Sequence, residues 1–175
     1  MATTISRPDG TVSAGNWRVG DAAIPVVLND SDDSTIVYNT SANQTMTLTL
    51  DMPVSDISLL KSLQPVIRVR RGGKGSASFT VTIDDGSQVF INAEAFSTTS
   101  ATLETLTGTE EDVSSIGAGQ TQANNLRVII TGTGSTQGFF ADFFLNVEYD
   151  PTSTAAGTVS LTSGTVTLTS GMITL

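Results

Sequence analysis

Two runs in the C-terminal half of the chain alternate apolar and polar residues with the period of a β-strand. In the first, Leu126, Val128 and Ile130 share a face; in the second, Phe139, Ala141, Phe143, Leu145, Val147 and Tyr149 do. The segment TGTGSTQG between them is a glycine-rich turn, so residues 126–150 predict an antiparallel hairpin. Its apolar face needs a second layer to cover it, which implies a β-sandwich.

The same alternation recurs upstream. In residues 45–50, TMTLTL, Met46, Leu48 and Leu50 face a core while three threonines face solvent. Residues 65–71 and 76–83 flank RGGKGS as a second hairpin, with Ile67, Val69, Phe79, Val81 and Ile83 inward and Arg68 and Arg70 outward. A further strand, 88–92, follows the Asp85-Gly86 turn. Residues 51–63 break the pattern: Leu59, Leu60 and Leu63 fit either a short helix capped by Ser55 or a wrapped loop. Residues 93–122 are mixed and polar, anchored by Leu103, Leu106, Val113 and Ile116, and loops of such length are often functional.

The two ends differ from this body. Residues 1–15 are polar, with a turn signal at Pro8-Asp9-Gly10, and read as an N-terminal arm; the sandwich then covers residues 16–150, beginning near Trp17. Residues 151–175 carry no Lys, Arg, Asp or Glu, and repeat GTVSLTS, GTVTLTS, GMITL with a seven-residue period. The repeat places aliphatics at Val159, Leu161, Val166, Leu168, Ile173 and Leu175. Seven is odd, so a straight strand would put successive pairs on opposite faces unless the glycines bend it. Six aliphatic side chains contribute roughly 1.5–3 kcal/mol each, against roughly 1–2 kcal/mol per residue to order the backbone, so this C-terminal β arm needs a partner surface. It reads as an assembly arm that pairs with neighbouring subunits or intertwines as three chains, or else as an extra hairpin on the domain's own sheet.

Composition narrows the chemistry. The 175 residues suit one domain plus appendages. The absence of Cys removes disulfides, thiolate metal sites and a cysteine nucleophile, and the absence of His removes the commonest general base and metal ligand. No enzyme and no cofactor are expected. Seventeen acidic residues against eight basic give a net charge of −9, which opposes binding to nucleic acid. The first residues lack an apolar export segment and no apolar run is long enough to span a bilayer, so synthesis in the cytoplasm without a membrane partner is expected.

Few side chains stand out beyond that. Asp30, Asp32 and Asp33 offer oxygens to Ca²⁺ but lack the glycine and distal Glu of an EF-hand loop, and a solvated turn is the plainer reading. Glu110-Glu111-Asp112 reads as an exposed loop tip. Arg68, Arg70, Arg71 and Lys74 cluster on one hairpin, as a docking patch for an acidic neighbour or a solvated strand face. Alternation sets Phe140 and Phe144 with Asp142, Asn146 and Glu148 on the face opposite the core, where the two rings want cover from a loop, the arm or a subunit interface.

The order QPVIRVRRGGKGSASFTVTIDDG, a long loop, then NNLRVIITGTGSTQGFFADFFLNVEYD resembles the jelly-roll sandwich domain of tailed-bacteriophage virion proteins, with Trp17 and DDSTIVY similar to that family's first strands. The resemblance implies an all-β, antiparallel jelly-roll β-sandwich and a structural role in the virion. A capsid cement or decoration protein is the first expectation: a homotrimer clamping neighbouring subunits, with the major capsid protein or another virion protein as partner. The alternative is a tail or fibre component with a receptor- or carbohydrate-binding jelly roll. One Trp and two Tyr are few for a carbohydrate platform.

Overall fold

The computed structural model describes residues 1–15, 17–18, 28–29, 36–39, 43–134 and 136–152. Among these lie ten strands: β1 (Ala2–Ser13), β2 (Val37–Tyr38), β3 (Thr45–Asp51), β4 (Ile57–Arg71), β5 (Ala77–Asp84), β6 (Val89–Thr98), β7 (Glu104–Thr107), β8 (Glu111–Asp112), β9 (Arg127–Gly132) and β10 (Gly138–Pro151). A 3-10 turn at Ser114–Ile116 and one helical turn at Gln120–Ala123 link β8 to β9.

Every strand pairing is antiparallel, and the pairings make two sheets. In the first, β10 is central, flanked by β4 on one side and by the start of β1 and by β2 on the other; β7 and β8 lie along the far edge of β4. The second runs from the end of β1 through β3, β9 and β5 to β6. The fold is an antiparallel jelly-roll β-sandwich. Its core lies between the sheets, where Phe79 of β5 meets Phe140 of β10 edge-on at 4.9 Å and Trp17 packs on Phe140 at 5.0 Å. Alternation fills it: Met46, Leu48 and Leu50 of β3, and Val128 and Ile130 of β9, are all buried. Each such side chain stabilises the sandwich by roughly 1.5–3 kcal/mol.

Residues 2–13, expected within an arm, are a strand of the body. Ala2–Ser6 pair with β10 and Arg7–Ser13 pair with β3, so β1 passes from one sheet to the other. The passage falls at Ser6, which is fully buried and whose hydroxyl donates to the Asp51 carbonyl. A polar strand suffices here because its backbone pairs along its whole length, with β10 over the first half and with β3 over the second.

The helix or loop expected over 51–63 is also replaced, because β4 begins at Ile57. Ile57, Leu60 and Leu63 are buried three residues apart, a spacing that imitates a helix. Two bulges produce it: Ile57, Leu59, Leu60, Ser62 and Leu63 oppose consecutive residues 151 to 147, leaving Ser58 and Lys61 as the extra residues. Pro65 is tolerated within the strand because its carbonyl accepts from the Gly108 N–H at 2.8 Å, so its missing N–H points at the gap between β7 and β8.

A third bulge corrects the placement of Phe140. On β10, Phe140 opposes Val69 while Asp142 opposes Arg68, so Ala141 is an inserted residue and the alternation inverts across it. Phe140 is therefore only 1 % exposed, in the core, and Phe139 turns outward in its place. Of the anchors expected in 93–122, Val113 is buried and Leu106 packs against the core, whereas Ile116 is exposed.

Candidate functional site

The outer face of the first sheet carries polar and aromatic side chains in register. From one end, Tyr38, Phe139 and Arg70 form a row; the next holds Asp142, Arg68 and Thr105; then Phe144, Val66 and Thr107; then Ile5, Asn146 and Gln64; and last Thr3, Glu148, Ser62 and Asp112. From Phe139 to Glu148 this strip runs about 30 Å at ~3.3 Å per residue.

The aromatic end is held by stacking. Tyr38 and Phe139 lie 5.4 Å apart between ring centres, and the Arg70 guanidinium sits 4.6 Å above the Phe139 ring. Phe139 also packs where a Cβ on Gly72 would be, so only glycine at 72 admits this ring. In mid-strip the Arg7 guanidinium pairs with Asp142 at 2.7 Å and covers Phe144 at 5.1 Å. Phe144, expected on this face from alternation, is there and half-buried.

At the far end the strip deepens into a pocket of about 270 Å³, whose polar lining is Thr3, Ser62, Gln64, Glu110, Asn146 and Glu148. Its amides are pre-positioned: Asn146 Nδ2 donates to Gln64 Oε1 at 3.2 Å, and Gln64 Nε2 donates to the Gly108 carbonyl at 3.1 Å. The Ser62 hydroxyl faces two carboxylates, with Glu110 Oε1 at 2.6 Å and Glu148 Oε2 at 3.4 Å. Beside them Asp112 accepts from the Ser114 hydroxyl and N–H, at 2.6 and 2.9 Å, which hold its carboxyl below the ordinary 3.8.

The four cations of the basic cluster each have different surroundings. Arg71 is spent on backbone, donating to the Thr99 carbonyl at 2.6 Å and to the Gly73 carbonyl. Arg68 lies opposite Asp142 and reaches Thr105 at 3.5 Å, Arg70 caps Phe139, and Lys74 is exposed on the hairpin turn. Asn39, which like Asn29 and Asn43 begins an Asn-X-Ser/Thr pattern in the sequence, is 3 % exposed, and its Oδ1 accepts from the Gly138 N–H. The tail residues Val159, Leu161, Val166, Leu168, Ile173 and Leu175, and the acidic trio Asp30, Asp32 and Asp33, lie outside the described residues. No group of three or more Asp or Glu able to hold a metal occurs among the described residues.

Sequence reasoning placed Asn146 and Glu148 opposite the core but missed Ser62 and Gln64, their partners on β4. The signal was present as polar residues alternating with Leu63 and Pro65, and the helix-like spacing of the leucines concealed it.

No protein-family model matches the chain, and no curated protein matches it. Among solved structures it is similar to the CBM36-1 domain of a multidomain xylanase from the hindgut metagenome of Trinervitermes trinervoides, at 12% identity and a TM-score of 0.47, covering 85% of this chain and 98% of that one. A family 35 carbohydrate binding module from Clostridium thermocellum aligns at 13% identity and TM-score 0.49, over 83% of this chain and 98% of the other. The C-terminal CBM6 of LamC from Zobellia galactanivorans gives 8% and 0.48, over 84% and 100%.

Proposed function

We propose that this protein is a non-catalytic binding module that takes a glycan along the outer face of its first sheet. The observation that carries this reading is the continuity of the pocket with the aromatic strip. Sugars present hydroxyls at their edges and C–H groups on their faces. Amides such as Gln64 and Asn146 both donate and accept, as hydroxyls require, and the half-buried rings of Phe144, Phe139 and Tyr38 supply apolar surface beside the Arg7 and Arg70 guanidinium groups that cover the first two. The small number of Trp and Tyr in the sequence weighed against a glycan, but the bulge at Ala141 brings Phe139 to the open face. The carbohydrate-binding alternative therefore displaces capsid cement as the main reading.

Affinity electrophoresis through a panel of plant, algal and bacterial polysaccharides tests it. At least one glycan should retard the protein, and Gln64→Ala with Asn146→Ala should remove that retardation by about tenfold or more in affinity while the far-UV circular dichroism is unchanged. Passage unretarded through every gel would refute the reading.

A second reading keeps the virion role, with a homotrimer clamping the major capsid protein or another virion protein. The observation favouring it is the uncharged seven-residue repeat ending the chain. Light scattering on the full chain against one ending at Thr152 tests it: a trimer that becomes a monomer supports an assembly arm, and equal masses oppose it.

A further inference from the structure

We infer that the pocket at the end of the strip takes a protonated amine, so that the glycan is an amino-sugar polymer; this rests on the glycan reading above. Glu110 and Glu148 converge on the Ser62 hydroxyl, which has one proton for two carboxylates. Ser62 is 9 % exposed, so the hydroxyl is fixed between them rather than free to turn to solvent. Among the described residues neither carboxylate is in an ion pair, and the cations at this end, the Met1 ammonium and Lys61, pair with Asp150 at 3.7 and 4.0 Å. Two like charges therefore face one cavity, in a protein whose net charge of −9 deepens the same field.

The kind of cation follows from the rest of the lining. A hard divalent ion wants six to eight oxygens or a rigid octahedron, and two carboxylates are few for it. An ammonium group has three N–H donors on a compact charge, which suits two carboxylates and an amide oxygen. Thr3, Gln64 and Asn146 remain to take ring hydroxyls, and about 270 Å³ holds one sugar ring rather than a buried chain. The polymer would run on from there toward Phe144.

Isothermal titration of the full chain tests this at pH 6 in low salt with EDTA present, using a tetramer of β-1,4-linked glucosamine, cellotetraose and tetralysine. The glucosamine tetramer should bind about tenfold more tightly than cellotetraose. Glu110→Gln and Glu148→Gln should each erase most of that advantage, bringing the ratio of the two affinities toward one whatever the change in cellotetraose affinity itself. Equal binding of both saccharides would overturn the amine inference and leave the glycan reading standing. If neither saccharide binds, both fall. Tetralysine binding more tightly than the glucosamine tetramer would overturn the sugar as the source of the amine. Should a Gln variant fail to fold, the comparison of the two tetramers on the unaltered chain decides alone.

Discussion

Replacing Phe140 by Ala tests the bulge at Ala141, on which both the core and the open face depend. The ring is 1 % exposed and is held between Phe79 and Trp17, at 4.9 and 5.0 Å. Losing a fully buried phenyl ring, with the cavity left behind, costs about 4 kcal/mol. With a urea slope of roughly 2 kcal/mol/M, the unfolding midpoint should fall by about 2 M. Trp17 is the only tryptophan and is itself buried, so its emission offers a second readout and should shift to the red as Phe140 is removed. Phe139→Ala is the control. That ring is half-buried and lies under Arg70, so its loss should cost about 1 kcal/mol and leave Trp17 emission unchanged. If Phe139→Ala were the more damaging change, the alternation would run uninterrupted through Ala141 and the open face would hold Phe140 instead.

Three further outcomes follow from local geometry. Arg127 donates to Asp84 through Nε at 2.7 Å and through its second nitrogen at 3.0 Å, so Arg127→Ala should destabilise by about 2–3 kcal/mol in urea, and pairing it with Asp84→Leu should recover part of the loss. Ala93 sits at φ 49° in the bulge between β5 and β6, where a Cβ is strained, so Ala93→Gly should raise stability by about 0.5–1 kcal/mol, and a loss would contradict the left-handed geometry. Ser114 favours the ionised form of Asp112, so this contribution to folding is present above pH 3.8 and is lost as the pH falls through the lower folded value; carboxyl NMR should show Asp112 titrating below 3.8, and Ser114→Ala, which removes the hydroxyl but keeps the backbone N–H, should raise it part of the way back.

The strands legible in the sequence are those whose pairing is regular. In β3 and β9 each residue has one partner opposite, so the face can be read from parity alone. Where a strand carries an extra residue, parity fails, because the insertion is decided by the neighbouring strand rather than by local sequence. Ser58 and Lys61 turned a strand into an apparent helix, and Ala141 exchanged Phe139 with Phe140. β1 was hidden for another reason: its side chains are mostly polar, and what orders it is backbone pairing to β10 and β3, which leaves no mark on hydropathy. Half of the candidate site was legible accordingly. Asn146 and Glu148 lie beyond the Ala141 bulge in a regular stretch, while Ser62 and Gln64 follow the irregular start of β4, and Glu110 reaches the pocket from a loop that only the fold brings near.

The pairing of Ala2 with Tyr149 sets the order in which a ribosome could deliver this fold. Of the described strands β1 is made first and β10, which receives it, last, roughly 7–30 s later at usual synthesis rates. Through that interval β3 can engage only the second half of β1, and the first sheet stays without its central strand. The nascent chain therefore holds exposed strand edges for most of its synthesis, and closure of the first sheet waits for the release of β10.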